Sequence, residues 1–248
     1  MNSICFDGSF AGFLSLLGQR QLRDSPPELI LRSGDAQLGL FGAAEPLMTC
    51  EATARRYWKH FVTRTSNDVA KTLLHAFFAD RQVDFACLFR FALRAEQFGT
   101  ATLDYNLEPE IDRILELARK VRHEAHRMKG LLRFQHLADG LFYAPMEPDH
   151  AILPMLAPHF ARRFGQQPWL IHDLSRQQGI VYDGKEWLLG DIQNDATPEL
   201  APEERAFQSL WQSYVDTIAI RERTNRRLQQ QFMPKKYWRH LVECLNQR

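Results

Sequence analysis

Cysteine is scarce in this chain of 248 residues, and the four present, Cys5, Cys50, Cys87 and Cys244, are scattered with no close pair. Isolated thiols without neighbouring histidines fit neither a zinc site nor an iron–sulfur cluster, and the cysteine triplet used by radical-SAM enzymes is missing. Unpaired thiols suit a reducing compartment, so a cytoplasmic protein is expected. Long apolar runs are lacking as well. Nothing approaches the roughly 20 residues that a bilayer-spanning helix needs, so no membrane partner is expected. The opening Met1–Asp7 has no basic stretch followed by an apolar one, and no secretory signal is expected. There is no Gly-rich loop ending in Lys-Ser/Thr, no GxGxxG, no GxSxG elbow, no HExxH and no His-x-Glu followed by Pro-Cys-x-x-Cys. No cofactor is therefore expected, and any catalysis would rest on carboxylates, histidines or basic residues.

What is present is an ordinary globular composition, 45% apolar, with 31 Lys+Arg against 30 Asp+Glu and a formal net charge of +1. The near-neutral total hides two basic stretches. Arg119, Lys120, Arg122, Arg127, Lys129 and Arg133 face only Glu124, and Arg221, Arg223, Arg226, Arg227, Lys235, Lys236 and Arg239 face only Glu222. The balancing acids gather elsewhere, from Asp183 to Glu204. Such asymmetry predicts a local anionic partner.

The periodicity predicts an α+β fold. Residues 3–6 read as a strand, and Asp7-Gly8-Ser9 turns into an apolar helix. Leu29–Arg32 and Gln37–Phe41 read as a hairpin. Helical spacing then dominates: Ala54, Tyr57, Trp58 and Phe61; Val69, Leu73 and Phe77; Phe85 to Phe98. Pro109 opens the clearest helix, with a stripe of Ile111, Ile114, Leu115, Ala118, Val121, Ala125 and Met128 ending at Gly130. After Gly130 the period changes to two. Leu131–Leu137 with Leu141–Pro145 read as a hairpin, an apolar helix from 152 to 164 should be broken or restarted at Pro158, and three strands follow within 169–189. The expectation is one compact unit over 1–248. Its parts are a strand–helix–hairpin at 1–48, a helical region at 49–130, a mostly antiparallel sheet at about 131–189 flanked by helices, an acidic loop at 191–205 and a basic helical segment at 206–248. In that last segment Trp211 and Tyr214 are expected to face the core.

Three places could carry chemistry. His123 and His126, three apart, could share a helix face, but no third ligand lies near, so no metal is expected. Asp149-His150 and His172-Asp173 sit at strand ends, where a carboxylate beside a histidine can act as an acid–base pair. The same acids suit a helix N-cap or a turn. The segment from Thr217 to Trp238 mixes cations with Asn225, three glutamines, Tyr237 and Trp238, which suits phosphate neutralisation with contacts to bases or sugars.

The runs DGSFAGFL (7–14), EAHRMKGLLRF (124–134), DGLFYAPMEPDH (139–150), LAPHFARRF (156–164), QPWLIHD (167–173) and DTIAIRERTNRRLQQQFMPKKYW (216–238) resemble the bacterial family described as probable DNA metabolism proteins with a DUF4130-type domain. The resemblance implies a setting in DNA repair or modification, beside a radical-SAM protein, with some members fused to a uracil-DNA-glycosylase-like domain. It carries no established catalytic residue. The first expectation is therefore a DNA-binding accessory protein whose radical-SAM partner supplies the chemistry, with a uracil-DNA-glycosylase-like protein as a further partner. His126, Lys129, Arg133, Arg162, Arg163, Arg221, Arg223, Asn225, Arg227, Lys235 and Lys236 would contact nucleic acid. Two alternatives stay open. One is a nuclease, glycosylase or lyase using Asp149, His150, His172 or Asp173; the other is a protein-interaction module whose basic segment never touches nucleic acid.

Overall fold

The computed structural model describes residues 3–33, 45–104, 108–192, 198–220 and 225–247. The fold is α+β, and the chain divides into two compact units, Met1–Arg122 and His123–Arg248. The division falls within one long helix.

In the first unit β1 (Ser3–Phe6) is the centre of a three-stranded sheet, between β2 (Leu29–Arg32) and β3 (Glu45–Pro46). Both neighbours pair with it in parallel. Parallel neighbours need a crossover, and α1 (Phe10–Leu17) and α2 (Arg20–Asp24) supply the one between β1 and β2. Ser9 caps α1 by accepting the Gly12 N–H at 2.9 Å. Of the expected hairpin, Leu29–Arg32 is β2, while Gln37–Phe41 lies outside the described residues. Helices α3 (Glu51–Arg64), α4 (Asn67–Phe77) and α5 (Phe85–Phe98) complete the unit. Its core is aromatic: Phe6, Phe13, Phe77 and Phe85 interlock, with the Phe6 and Phe85 rings 5.1 Å apart and edge to face.

Helix α6 (Pro109–Leu131) buries the expected stripe with one exchange. Leu117 is buried and Leu115 only half-buried. Leu117 lies three residues after Ile114 and four before Val121, on the stripe, whereas Leu115 is turned about 100° off it.

The second unit holds a five-stranded sheet in the order β4 (Gln135–His136), β5 (Phe142–Met146), β6 (Trp169–Asp173), β7 (Gln178–Tyr182), β8 (Trp187–Asp191). It is mixed, not mostly antiparallel as the sequence suggests. β4–β5, β6–β7 and β7–β8 are antiparallel, but β5 and β6 run parallel, Phe142 opposite Trp169 and Met146 opposite Asp173. The cause is α7 (Leu153–Phe164), which carries the chain back to the end where β5 began. Pro158 does not break α7. Proline there removes one internal hydrogen bond, but it sits on the exposed side, and burial of Leu156, Ala157 and Phe160 holds the helix through it. Trp169, fully buried, stacks on Tyr182 at 5.2 Å, and the Tyr182 hydroxyl donates to the Gly165 carbonyl at 2.8 Å. The chain ends in α8 (Glu204–Ile218), α9 (Arg226–Phe232) and two short 3-10 turns, Lys235–His240 and Val242–Gln247. Tyr237, Trp238, Leu241 and Val242 are buried there, so the Tyr237 and Trp238 rings expected to reach bases or sugars are packed inside the fold. Trp211 and Tyr214 are not: both are exposed. Helix α8 turns Glu204, Gln208 and Gln212 towards the body instead, where Glu204 accepts the His136 N–H and Gln212 donates to the Val242 carbonyl.

Candidate nucleic-acid interface

The second half of α6 sends charge in two directions. Glu124 lies three residues after Val121 and four before Met128, on the buried face of the helix, and its side chain is 5% exposed. An acid there needs partners. It accepts the backbone N–H groups of Asp149 and His150 at 2.9 and 3.0 Å, His150 Nδ1 at 2.5 Å and the Tyr237 hydroxyl, and Lys236 Nζ lies 3.5 Å away. Burial alone would push the Glu124 carboxyl up. The His150 and Tyr237 hydrogen bonds, with the Asp149 N–H, outweigh it and hold the pKa at about 2. The same burial, with Glu124 beside it, drives the Tyr237 phenol upward. Glu124 thus ties helix, strand-end loop and C-terminal turn together inside the second unit. In sequence Glu124 stands as the lone counter-charge of a basic stretch; its place on the apolar stripe is the signal that marks it as buried.

Asp149, His150, His172 and Asp173 fall at the adjoining ends of the parallel pair β5–β6, in two groups. Asp149 pairs with Lys236, and His150 with Glu124. His172 Nδ1 lies 3.1 Å from the Tyr143 hydroxyl. Burial lowers the His172 pKa, and neighbouring Asp173 opposes that shift. Asp173, fully buried, is raised by burial against the opposing pull of Arg176, which binds it at 2.8 Å. Arg176 also donates to the carbonyls of Pro148 at 3.2 Å and Asp149 at 2.9 Å, so it joins the two strand-end loops. All four candidates have fixed partners. The histidine held by a carboxylate at Nδ1 resembles an oriented base, yet His150 Nε2 is itself buried and without a hydrogen-bond partner among the described residues.

The other direction is outward. Lys129 from the end of α6 and Arg133 just after it, Arg163 and Phe164 from α7, and Phe207 and Trp211 from α8 line a groove of about 460 Å³. Arg133 is committed to Glu243 and lies over the Trp211 ring at 5.6 Å. Glu204, the carboxylate among the lining residues, is committed to His136 and Gln208. Lys129, Arg162 and Arg163 have no ion-pair partner among the described residues. Their field is felt at His159, whose pKa is lowered by burial and then by Lys129, Arg163 and Arg162 together. A positive surface beside exposed aromatic rings suits an anionic ligand with flat apolar groups.

The other residues expected to contact nucleic acid are dispersed. His126, Arg227 and Lys235 are exposed, and Arg227 opens α9 beside Arg226. Asn225 caps that helix, accepting the Leu228 N–H at 3.0 Å. Lys236 is held by Asp149 and Glu124. Arg221 and Arg223 lie outside the described residues. Among the described residues no group of three His, Cys, Asp or Glu is placed to hold a metal ion, and no helix is long and apolar enough to cross a membrane.

The family model described as a domain of unknown function, DUF4130, matches residues 82–243. That span takes in Glu124 with all its partners and every residue lining the groove. No curated protein and no solved structure matches the chain.

Proposed function

The chain belongs to the DUF4130 family, and we propose that it is a nucleic-acid-binding protein, DNA being the first candidate, that takes a single-stranded segment or an extruded base at the Lys129–Arg163–Phe207 groove. One observation carries this reading: Lys129 and Arg163 line a groove walled by the Phe134, Phe160, Phe164, Phe207 and Trp211 rings, and neither they nor Arg162, which also acts on His159, have an ion-pair partner among the described residues. Phosphates would meet the cations, and a base would stack on Phe207 or Trp211. Stacking needs a base whose face is free, which a paired duplex does not offer. Arg226, Arg227 and Lys235 would extend the backbone contact. The protein would present this substrate to a partner that performs the chemistry, a radical-SAM repair or modification protein by the family resemblance, with a uracil-DNA-glycosylase-like protein as a further associate.

The commitment of Asp149, His150, His172 and Asp173 to partners inside the fold favours this binding role over a nuclease, glycosylase or lyase reading. The test is titration of a labelled single strand and a labelled duplex at several salt concentrations. Tighter binding of the single strand is expected, and Phe207→Ala should weaken it by about 1–3 kcal/mol if one base stacks there. Equal, salt-insensitive binding of both forms, or none, would overturn the assignment.

A further inference from the structure

The two edges of the five-stranded sheet end differently. At the β4 edge residues 199–201 run alongside: the Ala138 N–H donates to the Glu199 carbonyl at 3.0 Å and the Ala201 N–H to the His136 carbonyl at 2.9 Å. At the other edge all five residues of β8 are exposed, Leu188 to 74%. The alternation of the β7–β8 ladder tells which backbone groups of β8 are free. The Asp183 N–H donates to the Glu186 carbonyl and the Ile192 N–H to the Gln177 carbonyl, so the bonded pairs between those limits are Val181–Leu188 and Gly179–Gly190. Trp187, Leu189 and Asp191 fall in the intervening pairs and turn their N–H and C=O groups away from β7. No backbone group among the described residues meets them there. Sheet edges are ordinarily guarded by a proline, a bulge or a lysine within the strand, and Trp187–Asp191 has none of these.

We propose that β8 pairs with β8 of a second copy of this chain, antiparallel about a two-fold axis at Leu188, which joins the two sheets edge to edge. The free groups and the charges set the register. With the axis at Leu188, Trp187 stands opposite the second copy's Leu189 and Leu189 opposite its Trp187, so the outward N–H and C=O groups meet in bonded pairs. Leu188 meets its own image in the pair between them, where opposed side chains come closest. Lys185 and Asp191 lie three residues to either side of the axis, so each Lys185 faces an Asp191. Neither has an ion-pair partner among the described residues, and Asp191 accepts the Gln178 amide at 3.3 Å. Opposite charges across a strand pair favour it and like charges oppose it. Moving the axis to Trp187 would set Asp183 against Asp191; moving it to Leu189 would set Asp191 against Trp187 and leave both charges unmatched. A foreign strand could satisfy the same backbone groups, but β8 is complementary to itself in backbone, apolar side chain and charge at one register, which selects a second copy.

Sedimentation equilibrium of the full chain tests this. A dimer that forms in the micromolar range is expected, because one strand pair buries less than the about 800 Å² per partner of a standard interface. Leu189→Pro removes an outward N–H from each copy and no bond to β7, so it should weaken the dimer by about tenfold or more while the circular-dichroism spectrum stays that of wild type. Lys185→Asp should weaken the dimer as well, and adding Asp191→Lys to it should restore it. Should Leu189→Pro fail to fold, the charge swap decides alone. A wild-type chain that stays monomeric at hundreds of micromolar, a folded Leu189→Pro chain that dimerises as wild type does, or a double swap no tighter than Lys185→Asp alone would each overturn the proposal.

Discussion

Glu124 and Lys129 stand five residues apart on one helix and end in opposite situations. Glu124 is buried with several partners, drawn from the loop after β5 and from the C-terminal turn. Lys129 and Arg163 line an open groove, and neither they nor Arg162 have an ion-pair partner among the described residues. The basic stretch from Arg119 to Arg133 reads as uniform in sequence, but its charges do two kinds of work. Those tied to carboxylates, such as Arg133 with Glu243, hold the fold; those left without them are available to an outside anion. Substitution on the two sides should therefore move different observables.

The largest effect belongs to the buried side. Glu124→Ala leaves the His150 ring, two backbone N–H groups and the Tyr237 hydroxyl without an acceptor, and should cost about 3–5 kcal/mol. Thermal or urea unfolding of the variant measures it. Next comes acid sensitivity. A carboxyl held at about 2 in the folded chain and near 4.5 when unfolded stabilises the fold above pH 4.5, and loses that contribution as the pH falls towards 2. The loss should be on the order of 3 kcal/mol, and the Glu124→Gln chain should lack that part of the acid slope. If wild type and variant show the same slope between pH 4.5 and 2, Glu124 is not the group responsible.

Tyr237→Phe removes one hydrogen bond to a charged acceptor and should cost about 1.5–3 kcal/mol, read from the same unfolding curves. On the open side the effect on stability should nearly vanish. Lys129→Ala and Arg163→Ala, alone or together, should change unfolding by no more than about 0.5 kcal/mol each. A larger loss would mean that these cations have partners within the fold, and the contrast with Glu124 would fail.

Much of this architecture is legible before any coordinates. The three-four stripe of α6 and the three strands begun within 169–189 follow from period. The direction of β6 does not. Alternation tells which side chains share a face, but pairing direction depends on where α7 delivers the chain. The acid–histidine candidates stand where the sequence puts them, at strand ends, while Glu124 is masked by the cations around it. Trp211 and Tyr214 mislead for a different reason. An apolar stripe is read as core by default, and nothing in α8 announces that its amides dock inward. The groove draws on the end of α6 and the residues after it, the end of α7, the start of α8 and Val242, four segments far apart in sequence, so its convergence is a product of the fold.

The most direct test of the central claim is the salt dependence of single-strand binding by wild type and by the Lys129→Ala, Arg163→Ala chain. Each neutralised phosphate on a single strand contributes about 0.7 to the slope of log affinity against log salt, so the double variant should lose about 1.4 from that slope and bind more weakly at low salt. Its melting temperature should stay at the wild-type value. An unchanged slope, or a slope that falls only together with the melting temperature, would contradict the account: the groove's cations would then serve the fold and not a nucleic acid.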